Sequence, residues 1–147
     1  MDTISIQLLF QLVLAAILGG IIGLEREWKR REAGLQTYSL VTVGSCLFTI
    51  IGYEFFDFFG GMPSVVFDPS RIILAVATGI GFLGAGVIIY RESHVEGLTT
   101  AAGLWMTAAL GIAVGAKLYI LAFLGTLIAM LIFVVFGWLE RKLFGRD

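Results

Sequence analysis

Apolar residues occupy five long stretches of this chain, and the charges fall in short clusters between them. The charge-free runs cover residues 3–24, 33–53, 72–90, 97–116 and 118–139, with lengths of 22, 21, 19, 20 and 22. About 20 apolar residues in helical form cross the hydrocarbon core of a bilayer. Backbone polar groups in lipid have no water to bond, so helices are the economical way to satisfy them. The pattern predicts an all-α polytopic membrane bundle of five transmembrane helices, at about 4–24, 35–53, 72–90, 98–116 and 118–139. Before the first run stands Asp2, and the basic residues Arg26, Lys29, Arg30 and Arg31 follow it. A cleaved signal peptide has the opposite order, so this run reads as a retained span.

Basic residues then set the orientation. Arg26, Lys29, Arg30, Arg31, Arg91, Arg141, Lys142 and Arg146 fall on one side of a five-span bundle, and Arg71 and Lys117 on the other. Lys and Arg accumulate on the cytoplasmic side, which predicts the N-terminus outside and the C-terminus in the cytoplasm. Trp28, Tyr38, Tyr90 and Trp138 fall at the inner edges, and Tyr53 and Tyr119 at the outer ones, as interfacial belts would. The segment 54–71 is the one long connection, and its phenylalanines predict a course along the headgroup boundary. His94 sits in a short inner turn and reads as a surface residue.

Composition narrows the class. Hydrophobic residues make up 59% of the chain and charged residues 14%, against roughly 25% charged in soluble domains. A soluble enzyme, a disulfide-stapled module, a disordered tail and a basic nucleic-acid binder are all excluded, so no nucleic-acid partner is expected. The single cysteine, Cys46, cannot form an internal disulfide. No repeat or linker divides residues 1–147, which read as a single domain.

Small residues indicate how the helices meet. Helices in lipid gain little by burying apolar side chains against one another and associate through close packing. Every fourth residue of the first span gives Gln7, Gln11, Ala15, Gly19 and Gly23, and of the fourth Thr99, Gly103, Thr107, Gly111 and Gly115. Thr42, Ser45, Thr49 and Gly52 form a comparable row in the second. Gln7 and Gln11 either hydrogen-bond a neighbouring helix or line a polar path from outside. In the third span Gly79, Gly81 and Gly84 match a dinucleotide-binding fingerprint. That motif needs a preceding strand and a βαβ unit, so these glycines and Gly86 are expected to serve close packing, or a helix break at a cavity.

Two charged groups are candidate sites. Glu25, Arg26, Glu27 and Lys29 continue the first span, with Glu25 one turn before Lys29. Such a group is a solvated helix end or a partly buried one, and a charge held at the membrane boundary is a functional candidate. Asp68 is a good helix N-cap before Pro69, and Arg71 can reach back to it. Asp68 with Glu54 and Asp57 also offers oxygen ligands of the kind Mg²⁺ or Ca²⁺ takes, although the spacing matches no known loop. No Ser/His/Asp, Cys/His or multi-histidine arrangement occurs, so no enzyme activity and no bound cofactor are expected.

A set of ordered motifs supports these readings. Gly23-Leu24-Glu25-Arg26-Glu27, Ala33-Gly34-Leu35, Leu40-Val41 with Gly44-Ser45, Asp68-Pro69-Ser70-Arg71, the run Gly79–Val87 and Gly97-Leu98-Thr99-Thr100-Ala101-Ala102 resemble the MgtC/SapB family over about residues 19–116. The resemblance implies a five-span domain of the bacterial inner membrane linked to survival at low magnesium and, in pathogens, to virulence. It also implies action through contact with other membrane proteins, the membrane part of the ATP synthase among them. Two departures stand out. The family pattern after Ala-Gly-Leu has arginine, threonine and then histidine or asparagine, where this chain has Gln36, Thr37 and Tyr38. Many members carry a cytoplasmic ACT-type domain after the fifth span, where this sequence ends about eight residues on. The expected function is that of a modulator of magnesium, ion or energy homeostasis, forming homo-oligomers and binding other membrane proteins in the bilayer. The alternative is a transporter or channel for Mg²⁺ or another ion, with Mg²⁺ entering as an ion sensed or carried.

Overall fold

The structure, a computed structural model, describes residues 3–59, 68–91 and 94–145. In chain order it comprises α1 (Thr3–Trp28), α2 (Leu35–Phe59), α3 (Pro69–Val87), β1 (Ile89–Arg91), β2 (His94–Glu96), α4 (Leu98–Gly115) and α5 (Tyr119–Leu131). A π-helical turn at Ile132–Phe136 joins α5 to α6 (Gly137–Phe144), so that the last three form one rod. Five segments are long and apolar enough to cross a membrane: Ser5–Trp28, Leu35–Phe58, Pro69–Val87, Leu98–Gly115 and Tyr119–Leu143. This is the all-α class that the hydrophobic pattern predicts.

Several boundaries differ, two of them with consequences for the connections. α2 continues to Phe59, so Glu54, Phe55, Phe56, Asp57 and Phe58 lengthen a helix instead of opening a connection. The rest of the expected boundary segment, residues 60–67, lies outside the described residues. α3 ends at Val87, short of the expected 90, and the chain enters an antiparallel hairpin pairing Ile89 with Glu96, Tyr90 with Val95 and Arg91 with His94. His94 is therefore a strand residue. The hairpin delivers the chain to α4 through Gly97, whose φ of +86° favours glycine. A Cβ there would also overlap the Val87 carbonyl.

Local chemistry sets the helix ends. The Asp68 carboxylate accepts from the Ser70 amide at 3.0 Å and its hydroxyl at 2.6 Å, with Pro69 in the first turn of α3. These two bonds, before the nearby Arg71, hold the Asp68 carboxyl below its ordinary range. α1 closes with Arg30 left-handed at φ 51°, its amide donating to the Glu27 carbonyl and the Arg31 amide to the Arg26 carbonyl. α4 closes in the same way around Lys117 at φ 63°. Both are Schellman closures with a long basic residue where glycine is usual.

The centre of the bundle is α2 held between α1 and α4, while α3 leans mainly on α4. Along α2 the residues Tyr38, Thr42, Ser45 and Thr49 are buried. Glycines oppose them on both sides. A methyl on Gly19 would lie 2.7 Å from the Tyr38 carbonyl, and one on Gly23 would lie 2.8 Å from Leu35 Cα. On α4, a methyl on Gly115 would lie 2.8 Å from the Cys46 carbonyl, and one on Gly111 would overlap the Thr42 carbonyl. Gly103 faces the Tyr38 hydroxyl and the Phe133 ring. The backbones come this close because no side chain separates them. Among the described residues, Gly84 of α3 faces Ala101, while methyls on Gly79, Gly81 and Gly86 would meet nothing within 4 Å. Among the described residues, those three glycines have no packing neighbour. Tyr38 is also relocated: it is fully buried and so cannot belong to an interfacial belt.

Candidate functional site

α1 continues past the apolar limit at Leu24, so its first charges enter the bundle instead of solvent. The Glu25 side chain is 9% exposed, Arg26 4% and Lys29 23%. Lys29 Nζ lies 2.5 Å from Glu25 Oε1, an ion contact with poor hydrogen-bond alignment, and Arg26 Nη1 lies 3.5 Å from Glu25 Oε2. One carboxylate thus serves two cations. A buried charge is tolerable when it is paired and its hydrogen bonds are met.

The fifth span supplies what Glu25 does not. Lys29 Nζ donates to the Phe133 carbonyl at 3.0 Å, and the Arg26 guanidinium lies 4.5 Å from the Phe133 ring centroid. Phe133 belongs to the π-helical turn. Such a turn widens the backbone ring and disturbs the usual ladder, which leaves a carbonyl available to an outside donor, and π turns recur at functional sites. Even so, Arg26 Nε is buried without a partner.

A second layer closes over this cluster. The Tyr38 hydroxyl donates to the Thr100 carbonyl at 3.2 Å, and the Thr100 hydroxyl donates to Glu32 Oε2 at 2.5 Å. Partial burial pushes the Glu32 carboxyl up, but the Thr100 hydroxyl, a backbone bond and the charges of Arg31 and Arg26 outweigh it. The carboxyl therefore sits below its ordinary value. Glu27 points away from the cluster and accepts from the Leu35 amide at 3.2 Å, which caps α2. Gly34 makes that reach possible, since a Cβ there would overlap the Glu27 carboxylate.

Two cavities open beside the cluster and share Lys29 and Arg141. One, of about 760 Å³, lies at the start of α4 and is lined by charged and polar groups. The other, of about 640 Å³, lies between α1 and the fifth span and is lined mostly by apolar side chains.

The remaining sequence candidates are dispersed. Gln11 is fully buried, and its Nε2 donates to the Val114 and Gly115 carbonyls at 2.9 and 3.0 Å, while its Oε1 has no partner. Gln7 is exposed, so the two glutamines do not share a buried path. Buried Thr42, Thr49, Thr107 and Thr126 return their hydroxyls to carbonyls one turn back on their own helices. Glu54, Asp57 and Asp68 are exposed, with Arg71 3.8 Å from Asp68. Among the described residues no three acidic, histidine or cysteine side chains converge as a metal site would require.

Sequence reasoning found Glu25, Arg26 and Lys29 but missed Tyr38, Thr100, Glu32 and Phe133 as their partners. Two signals were present: Tyr38 departs from the family pattern, and Thr100 lies in the Gly-Leu-Thr-Thr-Ala-Ala motif. Nothing in Ile132–Phe136 marks a π turn.

Known proteins are similar to this sequence. The chain is 42% identical over 142 residues to a protein of Escherichia coli K12 named "Putative magnesium transporter YhiD", covering 96% of this chain and 66% of that one. It is 37% identical to Protein SapB of Bacillus subtilis, over 92% of this chain and 59% of that relative. To Protein MgtC of Brucella abortus it is 43% identical, over 71% and 40% respectively. The chain thus spans less than two thirds of the length of these relatives. No solved structure matches it. The sequence model of the MgtC family matches residues 12–142, and with these relatives it places the chain in the MgtC family.

Proposed function

We propose that this domain is an inner-membrane modulator of magnesium, ion or energy homeostasis, acting by contacts with other membrane proteins. In this reading the N-terminus lies outside and the Glu25–Arg26–Lys29 end faces the cytoplasm. The observation that carries it is the position of the buried charge. Glu25, Arg26 and Lys29 are gathered at one end of the bundle, beside cavities open at that end. The spans hold no charge midway, and the buried hydroxyls of Thr42, Thr49, Thr107 and Thr126 are closed on their own helices. Ion pathways usually carry ionisable groups within the membrane. A device that responds at one face and transmits through helix contacts needs none there. A second copy of the chain, and the membrane part of the ATP synthase suggested by the resemblance, are the partners proposed.

A second reading has its own support. The name of the E. coli relative describes a magnesium transporter, and Gln11 Oε1 is a buried acceptor without a partner. Mg²⁺ entry into liposomes containing this protein alone, beside a known magnesium channel, separates the two. No entry, together with copurification of a membrane partner that Glu25→Gln abolishes, is the result expected of a modulator. Saturable entry that Gln11→Leu or Asp68→Asn alters would establish a transporter.

A further inference from the structure

α4 begins at Gly97, which provides no side chain to cap the first turn. The leading amides of a helix lack acceptors within it and carry the positive end of its dipole. This end borders the 760 Å³ cavity, whose wall holds five cationic side chains, Arg26, Lys29, Arg30, Arg31 and Arg141, against three carboxylates. Arg26 adds an independent sign. Its side chain is 4% exposed, it lines this cavity, and its Nε has no partner. A buried guanidinium donor left unmade is costly, and an oxyanion relieves that cost, since the planar fork of arginine matches phosphate.

We propose that this cavity binds a phosphate-bearing anion, supplied by the headgroup of an anionic phospholipid. The inference rests on reading this end as the working face of the domain. The source follows from the neighbouring cleft of about 640 Å³, whose wall includes Ile21, Leu24, Met130 and Val134, with Trp28 and Trp138 alongside. Lys29 and Arg141 border both spaces. A free phosphate occupies the polar cavity alone. A phospholipid fills both, with its phosphate against the cations and an acyl chain against the aliphatic wall. Basic pockets between membrane helices hold anionic headgroups by this combination.

Native mass spectrometry of the delipidated protein in neutral detergent tests the proposal, with phosphatidylglycerol, phosphatidylcholine and inorganic phosphate as separate probes. Wild type is expected to retain phosphatidylglycerol about tenfold better than phosphatidylcholine. Arg26→Gln is expected to remove that preference. Because Arg26→Gln acts on a buried cluster, the exposed pair Arg31→Gln with Arg141→Gln provides the second variant and is expected to reduce it about tenfold as well. Phosphate binding that these variants weaken, with no lipid preference, would keep the anion site and overturn the lipid as its source. Equal retention of both lipids without phosphate binding, or a preference that survives in a folded variant, would overturn the site. No partner protein is present, so this result is independent of whether the domain modulates one.

Discussion

α3 and α4 are nearly equal in length, at 19 and 18 residues, and both are rich in glycine, yet their surroundings are opposite. In α4, 56% of the spanning window is buried, and in α3 11%. Gly103, Gly111 and Gly115 touch α2 or the fifth span, whereas a methyl on Gly79, Gly81 or Gly86 meets none of the described residues within 4 Å. The difference lies in what stands opposite. α2 presents Tyr38, Thr42, Ser45 and Thr49 in a row whose small members let its backbone approach α4. α3 meets α4 near Ala101 through Gly84. Glycine permits a close crossing in lipid, but a matching row on a second helix creates it.

The largest test of this contrast is a pair of leucine substitutions. Gly111→Leu drives a side chain into the Thr42 carbonyl and Cys46 amide, backbone groups that cannot turn aside. It is expected to cost about 3 kcal/mol or more, whereas Gly81→Leu is expected to change stability by less than about 0.5 kcal/mol. Thermal unfolding in detergent followed by tryptophan fluorescence measures both, and equal losses would break the contrast. If Gly81→Leu leaves the monomer intact but abolishes self-association, the α3 face is where a second copy packs.

The charged end extends the comparison from packing to pairing. Glu25→Gln leaves Arg26 and Lys29 with the Phe133 ring and carbonyl. Removing one partner of such a buried group is expected to cost about 3 kcal/mol. Lys29→Met in the same chain should recover part of that loss, and a double-mutant cycle without coupling would show that the Lys29 contact contributes little.

At the other end of the bundle, Gln11→Leu should cost about 1 kcal/mol or less. It removes two hydrogen bonds to α4 but also an unpaired oxygen. A loss comparable with that of Glu25→Gln would move the weight of the structure toward Gln11. Lys117→Gly has the opposite sign, because it relieves a left-handed backbone at φ 63°. A gain of about 1 kcal/mol is expected in the same unfolding measurement, and a loss would give the Lys117 side chain a role of its own.

The smallest effect concerns Glu32. Its folded carboxyl titrates below its ordinary value, so the Thr100–Glu32 contact stabilises the protein above the unfolded carboxylate pKa. That contribution fades as pH falls through the depressed folded value. Thr100→Val should move the Glu32 titration upward in NMR, and an unchanged titration would remove Thr100 as a cause.

Five spans, their approximate limits and the charged ends were legible in the sequence because hydration acts locally. Some 20 consecutive apolar residues favour the bilayer whatever else the chain does. Asp68 as the N-cap of α3 was equally legible, since its partner Ser70 is two residues away. What tertiary structure decided depends on residues far apart. Lys29 meets the Phe133 carbonyl across 104 positions, Tyr38 meets Thr100 across 62, and Gln11 meets Val114 across 103. The same trio of charges, Glu25, Arg26 and Lys29, would be solvated at the end of a lone helix. It becomes a buried cluster here because the fifth span brings a π turn against it. Sequence determines which segments enter lipid, and the crossing of α1, α2, α4 and the fifth span determines which charges go with them.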